Sequence, residues 1–441
     1  MPHRTQPRSK VGIFLVEDCH IKGKRIRYRG GDILEGFVEV FAPDSSLYDV
    51  KISFEGVIRT WLGFNVNAQS DTCVRTGEFK FLREVQHVKA EQQNFEFAKH
   101  QNQCRIRFRF SIPEQLISAR ANISSEYLSL APSTKLGHAF KGNVPVRTYM
   151  QPRIMYMITA DLVKRDENDI WGICHDELEV EVMPSTKAPP PLQLVHYPSE
   201  FIINPQSSLR RHLWCRSMGT LRVSSWEPEA INLAVSTPKA TTLAVAKMTL
   251  TPHQNFAALL RPYEWEIIAK TWLKARTFCS TKVFEEIPII PLLKADPSLQ
   301  MHVETTESES RKCNSLGWRL DRLSTQGTIE SEEGLAPWTT FLRISISSPK
   351  HLVPTFLTAL AAHRYSLCLS LSITGFSHRP LYLEVPVQVV YDDTQRDSRM
   401  KDVDQSKEQR GDNELVGMLA PLTVQDLGHS LEQLPKYSYF Y

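Results

Sequence analysis

Hydrophobicity in this chain repeats every two residues and almost nowhere every 3.6, which confines it to pleated sheets with one apolar face per strand. Val50, Ile52, Phe54, Gly56 and Ile58 alternate with Lys51, Ser53, Glu55, Val57 and Arg59. Cys104, Ile106, Phe108 and Phe110 alternate with Arg105, Arg107 and Arg109. Leu178, Val180 and Val182 alternate with Glu177, Glu179 and Glu181. The same period returns at Trp265–Leu273, at Leu342–Ser347, at Ser366–Ile373 and at Leu381–Val389, where Pro386 predicts an edge or a bulge. No apolar pattern sustains a helix beyond about two turns, and Phe356–His363 is the one short helical candidate.

The stretch Tyr28–Phe41, YRGGDILEGFVEVF, shows how such a strand is started. Gly30-Gly31 supplies a tight reversal, and Asp32 is placed to bond the backbone of its own turn. Leu34, Gly36, Val38 and Val40 then share one face, with Ile33, Glu35, Phe37, Glu39 and Phe41 on the other.

A chain of 441 residues is long enough for two or three cores. Six prolines between Met183 and Pro205 mark a connector, because proline removes ladder donors and stiffens the backbone. Period-two strands on both sides of it predict an all-β protein of two tandem immunoglobulin-like sandwiches. The expected division is a disordered N-terminus at 1–10, sandwiches at 11–184 and 206–391, a Pro-rich linker at 185–205 and a disordered tail at 392–441. Thr305–Cys313 and Thr325–Gly334 are polar enough to be expected as exposed loops. The tail is expected to be disordered because 392–414 is dense in mixed charge and lacks aromatics.

A net charge of +3 gives no basis for global nucleic-acid binding, so any basic function has to be local. The apolar run Val11–Val16 is too short for a signal-peptide core and reads as a first strand. Eight cysteines stand singly, without a C-x-x-C pair, as expected of reduced and mostly buried thiols in a cytosolic protein. Cys174-His175-Asp176 has the residue types of a nucleophile–base–orienter set, but neighbours on a strand point to opposite faces and cannot relay a proton. Neither a phosphate-cradling glycine loop, nor a G-x-S-x-G elbow, nor a histidine pair at metal spacing is present in the sequence. No catalytic residue, metal or cofactor is expected.

Several segments carry a family resemblance. The Tyr28-Arg29-Gly30-Gly31-Asp32 turn feeding a strand with Gly36 resembles the N-terminal signature of arrestin-like proteins. Phe108–Leu116 is similar to the family strand that ends in a proline turn, although Leu116-Ile117-Ser118 keeps only part of the usual Leu-Pro-Pro-Ser. Arg153–Leu162 looks like the long Ile-x-Tyr-x-Leu-x-Ala strand. Leu352–Phe356, Arg364–Leu367 and Val385–Val389 resemble the close of the arrestin C-domain. These matches run in the family's order over 11–391 and are closest to the alpha-arrestins, the arrestin-related trafficking adaptors of fungi.

The resemblance implies a non-enzymatic cytosolic adaptor that links membrane-protein cargo, such as transporter or receptor cytosolic tails, to the WW domains of a HECT-type ubiquitin ligase for endocytosis. It also implies recruitment to the plasma membrane or endosomes and allows peripheral membrane association. The alternative is an arrestin-fold sorting-coat or carrier subunit without a ligase link. The usual ligase motif, Pro-Pro-x-Tyr, is absent, and Leu434-Pro435-Lys436-Tyr437 is the nearest candidate. Pro435 favours a polyproline II turn and Tyr437 suits an aromatic-lined groove, while the same end could instead fold back on a sandwich.

The cargo-binding candidates are basic. Arg105, Arg107 and Arg109 present three guanidiniums on one side of a strand, and Lys22, Lys24, Arg25 and Arg27 precede the opening turn. The resemblance places acidic or phosphorylated cargo tails on this half. The other reading of the arginine row is a solvated face paired with glutamates such as Glu177, Glu179 and Glu181.

Overall fold

The computed structural model describes residues 10–16, 27–41, 48–65, 72–88, 103–116, 129–136, 152–165, 170–184, 192–212, 214–233, 240–314, 316–321, 336–348 and 352–391. The first half holds β1 (Lys10–Leu15), β2 (Arg27–Tyr28), β3 (Ile33–Phe41), β4 (Tyr48–Asn65), β5 (Thr72–Val88), β6 (Gln103–Ser111), β7 (Thr134–Lys135), β8 (Arg153–Arg165) and β9 (Ile170–Val182). They form a small sheet in the order β1-β3-β6 and a larger one in the order β2-β9-β8-β4-β5, with β7 on β8. Apolar side chains from both sheets, among them Leu34, Val38 and Phe108 from one and Ile52, Phe54 and Tyr156 from the other, share a single core. This is a sandwich.

The alternation in Tyr28–Phe41 is realised as read. Leu34, Gly36, Val38 and Val40 are buried while Ile33, Glu35 and Phe37 face outward. Gly31 has φ 87°, a left-handed geometry that glycine adopts without steric cost, and the Asp32 carboxylate accepts the Arg29 N–H at 2.7 Å. Strand β4 departs from the one-wet-face expectation. Ser53, Glu55 and Val57 on its second face are also buried, and a register shift sits at Gly56/Val57.

The second half holds β10 (Gln206–Leu209), β11 (Gly219–Ser225), β12 (Ile231–Asn232), β13 (Thr241–Pro252), β14 (Ile267–Ser280), β15 (Leu299–Thr305), β16 (Glu309–Cys313), β17 (Arg319–Leu320), β18 (Trp338–Ser347), β19 (Phe356–Leu357), β20 (Ala361–Ile373), β21 (Leu381–Val387) and β22 (Val389–Val390). One sheet runs β10-β11-β13-β18-β17 and the other β15-β14-β20-β19, with β16 on β14 and β21 on β20. Leu221, Met248 and Leu342 of the first meet Leu273, Leu367 and Leu383 of the second across one core. The one α-helix among the described residues is the single turn α1 (Leu292–Ala295).

Two expectations need correction here. Thr305–Cys313 is largely strand, because β15 pairs with Lys274–Ser280 and β16 with Ile267–Thr271 along one edge of β14. A ladder is made by backbone groups, so exposed polar side chains do not prevent it. Phe356–His363 is not helical. It is β19, a turn and the start of β20, closed by the Thr358 hydroxyl accepting the Ala361 N–H at 3.0 Å and donating to the Ala361 carbonyl at 2.7 Å. Pro386 lies on β21, whose one partner strand among the described residues is β20, with a single bridge from Ile202 to Glu384. The segment Thr325–Gly334, the tail 392–441 and residues 1–9 lie outside the described residues.

The halves are joined by more than a linker. Phe356, Leu360 and Ala361 of the second half belong to the core of the first. The buried Thr60 hydroxyl donates to the Ser280 carbonyl at 2.6 Å. Opposite it, a Cβ on Gly77 would stand 2.7 Å from Thr281 Cα and 2.7 Å from Thr60 Oγ1. Gly77→Val is therefore expected to wedge the two halves apart and to cost about 1–3 kcal/mol by overpacking. An unchanged denaturation midpoint for this variant would show that the halves do not abut there.

The described part of the connector, from Leu192, is pinned as well. Ile202 and Glu384 exchange two backbone hydrogen bonds at 2.9 Å each. Glu200, 1% exposed, accepts from Arg364 Nε at 2.9 Å and from its Nη2, and that guanidinium lies over the rings of Phe278 (4.3 Å) and Tyr197 (4.9 Å). Arg276, 3% exposed, bonds Ser366 Oγ at 2.6 Å, the Glu200 carbonyl at 3.2 Å and the Glu384 carboxylate. Burial alone would raise the Glu384 carboxyl, but the Tyr382 hydroxyl, Arg276 and Lys274 more than offset it and hold it below the ordinary range.

Candidate functional site

The exposed face of the β1-β3-β6 sheet is set by register. Phe14 stands opposite Phe37, and Phe37 opposite Arg107, so these three cross the sheet in one row. The flanking rows put Glu39 opposite Arg105 and Glu35 opposite Arg109. The phenyl rings of Phe14 and Phe37 stack with centroids 5.3 Å apart, and the Arg105 guanidinium lies 4.9 Å above Phe37. Alternation makes this arrangement unavoidable: the residues that fill the core send every second neighbour outward.

The three arginines are not equivalent. Arg105 pairs with Glu39 at 2.7 Å and Arg109 with Glu35 at 3.2 Å. Arg107 has no ion-pair partner among the described residues, and its backbone carbonyl accepts from Gln86 Nε2 at 3.0 Å. The row of three positive charges is thus mostly neutralised, and Arg107 is left next to an aromatic surface. An anionic group brought to Arg107 could pack its apolar part on Phe37 and Phe14.

Glu177, Glu179 and Glu181 are not the partners of this row, because β6 pairs with β3 and β9 belongs to the other sheet. Glu179 is held by Lys135 and Arg153, both at 3.2 Å, and Glu181 by Arg27 at 2.8 Å. Arg27 is therefore committed to β9. Lys22, Lys24 and Arg25 lie outside the described residues, as do Leu434, Pro435 and Tyr437.

The Cys174-His175-Asp176 triplet diverges as strand geometry requires. His175 Nδ1 meets Asp161 Oδ1 at 2.7 Å, Asp176 accepts the Ile13 N–H at 3.0 Å, and Cys174 packs on the core. Among the described residues Cys104, Cys174, Cys215, Cys279, Cys313 and Cys368 are free thiols, and burial pushes Cys104 and Cys368 up to about 11 and Cys279 to about 12. The sequence leads one to expect mostly buried thiols; of these six, Cys279 and Cys368 are buried, Cys104, Cys174 and Cys313 partly buried, and Cys215 exposed. Among the described residues no group of three His, Cys, Asp or Glu side chains could hold a metal ion, and no helix is long and apolar enough to cross a membrane.

Sequence reading placed Phe37, Glu35 and Glu39 on the outer face but could not say which strand lay alongside. It missed the buried arginines altogether. Their signal was a charged residue inside a strand apolar on both sides, as in AAHRYSLCL for Arg364. Comparison with protein-family models and with curated proteins gives no match to this chain.

Proposed function

We propose that this protein is a non-enzymatic adaptor of the arrestin-like kind, which holds cytosolic tails of membrane proteins and links them to a WW-domain HECT-type ubiquitin ligase. The observation that carries the cargo side of this reading is the row Phe14–Phe37–Arg107, an aromatic platform ending in a guanidinium without a carboxylate partner among the described residues. Linked recognition would act by proximity, raising the effective concentration of ligase at cargo. Two sandwiches joined through shared core and a pinned connector fit a scaffold that presents the cargo row on one body. The ligase side rests on Leu434, Pro435 and Tyr437 and on the sequence resemblance.

The test separates the two ends in one co-purification from cells. Arg107→Glu is expected to lose membrane-protein cargo at least tenfold and keep the ligase, while Tyr437→Ala keeps cargo and loses the ligase. Reversal at Arg105 or Arg109 is a poorer probe, because it sets like charges opposite Glu39 or Glu35 and confounds binding with stability. Unchanged capture by both variants would reject the adaptor. Cargo captured with no ligase in any form would leave the coat-subunit alternative.

A further inference from the structure

One sheet of the second sandwich ends in a strand that is covered along only part of its length. β18 pairs with β13 from Trp338 to Ser347 on one side, while β17 reaches only Trp338 and Thr339 on the other. Parity fixes which backbone groups are left over. In an antiparallel ladder the N–H and C=O of a residue point the same way, and that direction alternates along the strand. Ser348 N–H donates to the Ala240 carbonyl at 2.8 Å, continuing the β13 side, and the Pro337 carbonyl accepts the Asp321 N–H at 2.9 Å on the β17 side. Phe341, Arg343, Ser345 and Ser347 therefore turn their backbone groups away from β13, and no strand lies against them among the described residues.

An edge of this kind is a template for pairing. Proteins blunt such edges with lysine, proline, a bulge or a covering segment, whereas Phe341–Ser347, FLRISIS, has no proline or glycine and a single charge. The side chains around it set what can be added. Leu342, Ile344 and Ile346 point into the core and are at most 4% exposed, so a further strand has to be apolar where it continues their face. The outer face makes the opposite demand. Arg222, Lys247 and Arg343 stand there beside Phe341 (51% exposed) and Leu243 (48%), with Lys247 opposite Phe341 and Val245 opposite Arg343. β11, β13 and β18 contain no aspartate or glutamate at any position, and the three bases have no ion-pair partner among the described residues.

We propose that the free edge Phe341–Ser347 takes up an extended segment of another protein as an added strand, one in which apolar residues alternate with acidic ones. Backbone bonds supply the affinity. The apolar positions lie beside Leu342, Ile344 and Ile346, and the acidic ones meet Arg343 and Lys247 on the outer face. A second copy of this chain fits worse, because pairing β18 with itself brings a second Arg343 and Lys247 onto a face that has no carboxylate to neutralise them. The edge belongs to the second sandwich and shares no residue with the Arg107 row, so the inference stands or falls independently of the adaptor reading.

Fluorescence anisotropy of a labelled peptide of alternating valine and glutamate, titrated with the full chain, tests it. The peptide should bind, and its valine–lysine counterpart should bind about tenfold more weakly. Methylating every second backbone nitrogen of the peptide should abolish binding in one phase and spare it in the other, because only one edge of the peptide pairs. Ser345→Pro removes a donor that points away from β13 and leaves the internal ladder whole. It should keep the wild-type circular dichroism spectrum and denaturation midpoint while weakening the peptide about tenfold or more. Arg343→Glu, at an exposed side chain, should reverse the preference towards the valine–lysine peptide, and it keeps the test open if the proline variant folds poorly. No binding of the valine–glutamate peptide up to millimolar concentration overturns the inference, as does equal binding by both methylated phases or wild-type binding by a folded Ser345→Pro. A dimer in sedimentation that Ser345→Pro dissolves would overturn it in favour of a second copy.

Discussion

Glu200→Ala should destabilise the protein by about 3–5 kcal/mol, among the largest losses that a single substitution in this chain can produce. The carboxylate does not merely add an ion pair. It neutralises Arg364, which is 7% exposed, is packed between aromatic rings and donates to the Pro288 carbonyl at 2.7 Å. Removing it leaves a guanidinium in a dry site with its counter-charge gone. The Ile290 N–H, which donates to the same carboxylate at 3.3 Å, is orphaned as well. If the penalty comes from that stranded charge, Glu200→Ala/Arg364→Met should be more stable than Glu200→Ala alone, because replacing a whole buried pair is far cheaper than halving it. Denaturant midpoints of the three variants decide this. A loss under about 1 kcal/mol in the single variant would mean that the pair is in effect solvated.

Acid should weaken the protein through His363, and His363→Phe should flatten that response. The imidazole is 2% exposed, bonds Thr277 Oγ1 at 2.8 Å through Nδ1, and stacks on Phe356 with centroids 5.7 Å apart. Tyr365 meets it edge-on at 4.7 Å, and its Nε2 has no partner among the described residues. Burial lowers its pKa from 6.5 to about 3, so the folded state holds it neutral while the unfolded state takes up a proton. The stability is therefore complete above pH 6.5 and declines as the pH falls towards 3, by at most about 1.4 kcal/mol per unit. Carboxylates titrate in the same range, so the informative quantity is the difference between wild type and His363→Phe. Parallel stability curves from pH 7 to pH 4 would exclude the histidine as a cause.

The strand content and the sandwich class were legible because the period-two pattern is written in large residues. Strands built from Thr, Ala and Met, such as β13, escaped notice although Ala244, Ala246, Met248 and Leu250 keep the same alternation. β16 escaped because both of its faces are polar, and a ladder needs only backbone. The Arg105–Arg109 row was legible as a feature, but its electrostatics were not. Whether a charge is free depends on the neighbouring strand, and strand order is a long-range property that no local window encodes. Arg276, Arg364 and His363 were invisible for the same reason, since their partners Glu384, Glu200 and Phe356 come from segments far along the chain or on a separate strand.

The seating of Phe356, Leu360 and Ala361 in the opposite core bears on how this protein can be handled. Expressed separately, the fragment 1–184 would have an unfilled hollow where those side chains belong, and the remainder would carry them into water. Each piece is then expected to be sticky and less stable than the whole. Denaturation should accordingly show one shared transition rather than two, whatever the length of the connector between them.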